Sequence, residues 1–268
     1  MLNGLSIFGN KMKGLLTAIY GYFALFISGL LLIFLCVTWS FIALVLSGLF
    51  PKRQVQTLSR QGISIGFRLY VAILGGFGWL IIDKRSLDPL KSYGPMVITP
   101  NHPGLLDAMV ILTTLPTLGL VLKASLLDHP LLGIGARLAG YIPNHLTLAM
   151  IREGRHNLSR GQHLLLFPEG TRTQAPPINP LSKSGALLAI KANVPIQTIL
   201  IDCPSGYLGK SWPITKPPNI PVKITLRLGK QFPPIGPARQ LTLRMERYFK
   251  EALNSPPLVS ALGHPMES

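Results

Sequence analysis

Residues 95–107 read Pro-Met-Val-Ile-Thr-Pro-Asn-His-Pro-Gly-Leu-Leu-Asp. The apolar run Pro95 to Thr99 predicts a strand, Pro103-Gly104 a turn, and the pattern from Leu106 to Leu115 a helix. Working outward, Thr117 to Leu122, His163 to Phe167, Val194 to Ile201 and Val222 to Leu228 predict further strands, and Gly185 to Asn193 a further helix. Strand and helix alternate. That order predicts an α/β domain with a mixed, largely parallel sheet flanked by helices, its functional residues in the loops that leave the strands. Leu241, Met245, Tyr248, Phe249, Ala252 and Leu253 predict a final amphipathic helix, ended by Pro256 and Pro257. The Pro-rich stretches 175–180, 216–221 and 232–237 read as loops.

Composition narrows the class. The 268 residues carry 26 Lys+Arg against 10 Asp+Glu, a formal charge of +16, yet 48% are hydrophobic and only 13% charged. An ordinary soluble domain has a charged fraction of about 25%. A mean hydropathy of +0.39 excludes a disordered chain. Two cysteines, Cys36 and Cys203, exclude a disulfide scaffold and a multi-cysteine zinc module.

The apolar excess lies at the front, where no charged residue stands between Lys13 and Lys52. This exceeds the roughly 20 residues of a spanning helix and the roughly 7 to 15 of a signal-peptide apolar region, so it reads as a retained anchor. Two shapes fit: a single tilted span, or a hairpin bent near Ser28-Gly29 that dips into one leaflet. Lys52, Arg53, Arg60 and Arg68 after the segment favour a catalytic portion on the cytoplasmic face, in a bacterium the inner membrane. Val55, Leu58, Gly62, Ile65 and Leu69 recur at intervals of three and four, as in an amphipathic helix. Such a helix either lies on an anionic bilayer surface or packs on the core with a solvated basic side. Leu69 to Ile82, interrupted by Gly75-Gly76 and Gly78, is too short to span and reads as interfacial or buried. The expected division is therefore a membrane anchor over 1–82 and an α/β domain over 83–268.

Two motifs carry the chemistry. His102 and Asp107 are five apart, which in one continuous helix puts their side chains about 140° apart. Pro103-Gly104 removes that obstacle, because a turn there lets Asp107 fall in the first helical turn and reach back to His102. A carboxylate so placed holds one imidazole nitrogen and leaves the other as a general base. Taken alone, such a pair equally suits a structural hydrogen bond. The second motif, His163-Leu-Leu-Leu-Phe167-Pro168-Glu169-Gly170-Thr171-Arg172, is an apolar strand opening into a loop with a carboxylate, amides near a glycine, a hydroxyl and a guanidinium. Such a loop can hold an anion through its amides and its Arg; the plain alternative is a turn with a surface Arg.

Together these residues resemble the 1-acylglycerol-3-phosphate acyltransferases, the PlsC-like lysophospholipid acyltransferases. The family's Asn-His-x4-Asp block matches 101–107, and its Phe-Pro-Glu-Gly-Thr-Arg block matches 167–172 without a substitution. Leu122-Lys123-Ala-Ser-Leu126 with His129-Pro130 and Gly133, Lys183-Ser184-Gly185, and Ala192-Asn-Val194-Pro195-Ile196 are similar to less specific blocks. One departure stands out. The family's second block usually ends in an Arg after an aromatic-Ile pair, whereas Tyr141-Ile142-Pro143-Asn144-His145 has none. Residues 202–210 also have no counterpart we can assign.

The resemblance implies an enzyme at the membrane, acylating a lysophospholipid hydroxyl from acyl-CoA or acyl carrier protein, with 1-acylglycerol-3-phosphate the first acceptor expected. His102 and Asp107 would be catalytic. Glu169 would contact the acceptor, Arg172 and Lys123 would hold its phosphate, and amides near Gly170 and Thr171 would stabilise developing charge. It implies no metal and no cofactor beyond the acyl co-substrate, and membrane lipids rather than nucleic acid as partners. Because the second-block Arg is missing, a non-phosphate hydroxyl, an amino-acid lipid or a polyene lipid is the alternative acceptor, and a non-catalytic membrane protein the alternative outside enzymology. A nucleic-acid binder conflicts with dispersed charge and a long apolar segment. Gly209-Lys210-Ser211 lacks the earlier glycine of a P-loop, position 204 being Pro204. His129, His145, His156 and His163 do not stand at zinc-ligand spacing from His102 and Asp107.

Overall fold

The computed structural model describes residues 2–144 and 147–255. Among these residues seven α-helices accompany one seven-stranded sheet of order β1-β7-β6-β2-β5-β3-β4. The strands are β1 (Leu80–Asp83), β2 (Val97–Pro100), β3 (Gly119–Leu122), β4 (Ile142–Pro143), β5 (Leu164–Leu166), β6 (Ile196–Asp202) and β7 (Val222–Phe232). Strands β6, β2, β5, β3 and β4 run parallel, β7 lies antiparallel to β6, and β1 is parallel to β7. The mixed, largely parallel sheet read from the sequence is the one observed.

The central strands are apolar on both sides because both faces are covered. Ile98, Leu120, Leu165 and Ile199 point to one face, with α3 (Asp107–Thr114), α4 (Gly133–Leu138) and the N-terminal helices. Val97, Val121, Leu164, Leu166 and Ile196 point to the other, with α5 (Thr147–Ser159), α6 (Ser184–Ala192) and α7 (Ala238–Asn254). Helix α6 stops where Asn193 adopts the left-handed conformation (φ 51°), releasing the chain at Val194-Pro195 into β6. Pro256 and Pro257, expected to end the last helix, lie outside the described residues, as does His145.

The apolar segment forms part of one uninterrupted helix, α1 (Leu2–Leu49), and no bend occurs at Ser28-Gly29. The turn comes later, at Phe50-Pro51, where α2 (Lys52–Gly76) begins and returns antiparallel. Register fixes that direction. Trp39 packs over Gly62, and Trp79, just beyond α2, donates its indole N–H to the Tyr20 hydroxyl at 2.8 Å. Gly21, Ala24, Ser40 and Ala43 make the buried side of α1, while Phe23, Phe26, Phe34 and Phe41 are exposed. The stretch Gly14–Leu49 is long and apolar enough to cross a membrane.

Helix α2 packs on α3 and turns part of its basic side inward. Arg60 is only 3% exposed. Its guanidinium donates to the Ala139 carbonyl (2.8 Å), Asn157 Oδ1 (3.1 Å) and Gln162 Oε1 (2.8 Å), joining α2 to α4, α5 and the approach to β5. Burial pushes its pKa below the ordinary arginine value, but a guanidinium stays protonated. Arg68 donates to the Thr113 carbonyl at 2.7 Å. Arg60 is therefore bound within the fold and not free for a lipid surface, whereas Arg68 remains exposed. Residues 69–82 divide between the end of α2 and strand β1.

The α1–α2 contact depends on Gly62, since a Cβ there would stand 2.0 Å from the Trp39 ring. Gly62→Ala is expected to cost about 1–3 kcal/mol by overpacking, read as a lower denaturation midpoint in detergent; an unchanged midpoint would contradict this packing.

Candidate active site

Strands β2, β5 and β6 are neighbours at the centre of the sheet, and the loops leaving their C-terminal ends form the site. Asn101 ties the first loop to β6, accepting the Ile201 N–H (2.7 Å) and donating to the Ile201 carbonyl (2.9 Å). The chain then turns through Pro103-Gly104 and enters α3 at Asp107. Asp107 Oδ2 lies 2.8 Å from His102 Nδ1 and accepts the Gly104 N–H at 2.8 Å. Asp107 is 1% exposed and the His102 side chain 16%. Burial pushes the Asp107 carboxyl up, while His102, the Gly104 amide and the charge of Arg172 pull it back. With Nδ1 donating to the carboxylate, Nε2 carries the lone pair.

The loop after β5 completes the setting. The Phe167 ring stacks on the His102 imidazole, centroids 3.9 Å apart and planes inclined by 27°. Glu169 turns inward and is 9% exposed. Its Oε1 accepts the His102 backbone N–H (2.9 Å), its Oε2 accepts the Asn179 N–H (2.9 Å), and the Thr173 hydroxyl lies 2.9 Å from both oxygens. The Thr173 N–H in turn donates to the His102 carbonyl at 2.8 Å. Burial is the main influence on the Glu169 carboxyl and raises its pKa, against the pull of these donors. The carboxylate thus braces the turn that carries His102.

Gly170 is left-handed (φ 68°), which favours glycine there. Its N–H closes a turn onto the Phe167 carbonyl (3.1 Å), so it is already engaged. The Thr171 and Arg172 amides have no acceptor among the described residues. Arg172 sends one guanidinium nitrogen to the carbonyls of Leu208 (2.8 Å) and Gly209 (3.0 Å). Lys123 stands at the end of β3, beyond β5, exposed and without a hydrogen bond to the other named residues. The structure therefore gathers His102, Asp107, Glu169, Gly170, Thr171 and Arg172, and leaves Lys123 on the rim.

Several participants were not singled out from the sequence. Phe167 was visible as a strand end and as the first residue of the Phe-Pro-Glu-Gly-Thr-Arg block, but without a role. Thr173 and Asn179 became partners of Glu169 because the loop from 169 to 179 folds back on itself. The backbone of 208–209 had no signal, since carbonyls carry none.

A family model described as Acyltransferase matches residues 81–202. A 1-acyl-sn-glycerol-3-phosphate acyltransferase of Pseudomonas aeruginosa is 25% identical over 197 residues, covering 69% of this chain and 74% of that protein. The chloroplastic 1-acyl-sn-glycerol-3-phosphate acyltransferase BAT2 of Brassica napus is 24% identical over 125 residues, covering 44% of this chain and 36% of that protein. The crystal structure of PlsC from Thermotoga maritima, a 1-acyl-sn-glycerophosphate acyltransferase, shares the fold at a TM-score of 0.65 and 21% identity, covering 91% of this chain and 95% of that one. The resemblance read from the two motifs stands as far as the acyltransferase domain: residues 81–202 match that family model, and the chain as a whole shares its fold with PlsC.

Proposed function

We propose that this acyltransferase moves a fatty acyl group from acyl-CoA or acyl carrier protein to the free hydroxyl of 1-acylglycerol-3-phosphate, giving phosphatidic acid. The observation that carries the reading is the 2.8 Å contact between His102 Nδ1 and buried Asp107 beside the Glu169–Arg172 loop. His102 Nε2 takes the acceptor's hydroxyl proton as its oxygen attacks the thioester carbonyl. The tetrahedral species then expels the thiolate, which takes the proton back from the imidazolium. No acyl-enzyme is needed. The Thr171 amide is the best-placed unpaired donor for the developing oxyanion, a role generally worth about 2.7–4 kcal/mol. Arg172, and Lys123 from the rim, supply positive charge toward the acceptor phosphate, as a relative acting on 1-acyl-sn-glycerol-3-phosphate would require.

A narrow apolar cleft of about 40 Å³, lined by Ala24, Tyr70, Leu74, Trp79, Leu106 and Leu208, lies between α1, α2 and the loop after β6, too small to hold an acyl chain in this structure. In this reading the exposed side of α1 rests in lipid. Because the opposite side is bound to α2 and α4, α1 lies along one leaflet, with the domain on the cytoplasmic face.

Purified protein given acyl-CoA or acyl carrier protein and a panel of lysolipids is expected to yield phosphatidic acid, identified by mass. No product with any acceptor would overturn the reading; product only from a phosphate-free acceptor would replace its substrate. His102→Ala is expected to lower kcat by about 10²–10⁴ with the fold intact. Glu169→Ala strips the acceptor from the His102 amide, the Asn179 amide and the Thr173 hydroxyl, at about 1–3 kcal/mol for each stranded donor. Activity and denaturation midpoint should therefore fall together; a rise in acceptor KM alone would return Glu169 to acceptor binding. Replacing Phe23, Phe26 and Phe34 by Ser should release the protein from anionic vesicles in a flotation assay, and undiminished flotation would remove α1 as the lipid contact.

A further inference from the structure

The loop from Cys203 to Lys210, which the motifs left without a role, is built onto the active site. The Leu105 N–H donates to the Leu208 carbonyl at 3.1 Å, anchoring the loop on the catalytic turn. Arg172 grips it from the other side through the carbonyls of Leu208 and Gly209. Leu208 is held left-handed (φ 56°), a conformation unfavourable for a non-glycine residue and kept only where surroundings impose it. The consequence is the placement of the next cation. Lys210 Nζ stands 3.5 Å from Thr171 Oγ1, next to the unpaired amides of Thr171 and Arg172. Lys210 is exposed, and among the described residues no carboxylate pairs with it.

We infer that Lys210 is an acceptor-recognition residue, its ammonium joining the Thr171 hydroxyl and the Arg172 amide in binding the acceptor's phosphomonoester. The inference rests on the function proposed above and names the residue that selects a phosphate-bearing acceptor. Three features carry it. The donors converge on one loop that leaves β5 beside the His102 strand. They comprise a full positive charge and neutral N–H and O–H groups, the set that suits a compact dianion. Arg172 already spends one nitrogen on carbonyls, so Lys210 is the less committed cation. The second block lacks an Arg after Tyr141-Ile142, and Asn144 instead accepts the Ala124 N–H at 3.3 Å. A lysine on a flexible four-carbon stem, delivered from a different loop, meets the same electrostatic need.

The donor's phosphates offer the same chemistry, and steady-state kinetics separates the two sources. Lys210→Ala is expected to raise the KM for 1-acylglycerol-3-phosphate about tenfold and to weaken competition by inorganic phosphate similarly, with Lys210→Arg recovering most of both. The KM for the acyl donor should stay within about twofold. An unchanged acceptor KM in an active Lys210→Ala enzyme overturns this inference alone, and so does a rise confined to the acyl donor. If the wild-type enzyme accepts no phosphate-bearing lysolipid, the substrate reading falls first and takes this inference with it.

Discussion

A single carboxylate oxygen organises the centre of this molecule. Asp107 Oδ2 receives both the Gly104 N–H and the His102 imidazole, each at 2.8 Å, so the turn that follows β2 and the ring of His102 are fixed by one acceptor. Hydrogen bonds to a charged group are worth about 1.5–3 kcal/mol each, and the carboxylate sits in the first turn of α3, where the helix dipole favours negative charge. The rest of His102 is held as firmly. Its N–H goes to Glu169, its carbonyl accepts from Thr173, and one ring face lies on Phe167. Backbone, Nδ1 and ring plane are all committed, which leaves Nε2 as the uncommitted atom of the ring.

Two buried carboxylates thereby acquire different work from different geometry. Asp107 meets the imidazole ring and fixes its orientation through Nδ1. Glu169 meets the His102 backbone and the loop that carries Thr173 and Asn179, so it joins the ends of β2 and β5 across the sheet. Burial drives both carboxyls upward, and both are returned toward the ionised form by donors supplied on purpose. Loss of either set of donors would leave a charge in an apolar interior, where it cannot persist unpaired.

Much of this was readable in advance, for identifiable reasons. Apolar runs of four to eight residues bounded by Pro and Gly gave the strands, and Pro103-Gly104 showed how a His and an Asp five apart can meet. The direction of Glu169 was not readable, because a motif records a side-chain type and not whether its loop folds inward. Arg60 shows the same limit. Periodicity marked Val55, Leu58, Gly62, Ile65 and Leu69 as one face, yet Ile65 and Leu69 are exposed, while the Arg60 guanidinium turns inward where the end of α4 and two amide side chains converge. The two-residue β4 and the sparsely apolar α5 offered too little pattern to detect. Strand β1 was hidden in an apolar run whose first part is helix.

The packing of α1 bears on how a lipid reaches His102. A helix of 48 residues is about 72 Å long, more than twice the roughly 30 Å of a hydrocarbon core, so a simple perpendicular span leaves most of its length unexplained. Its buried positions are the small residues Gly21, Ala24, Ser40 and Ala43, and Trp39 packs on α2, whereas Phe23, Phe26, Phe34 and Phe41 point away. Such a helix is a boundary, with protein on one side and, in the proposed reading, lipid on the other. The narrow apolar cleft beside Leu106 and Leu208 lies inside that boundary, whereas Thr171, Arg172 and Lys210 lie at the polar ends of the strands. In the proposed reading a lysophospholipid has the same two-part character, its tail kept to the lipid side of α1 and its phosphate to the strand ends, with the hydroxyl between them brought to the imidazole.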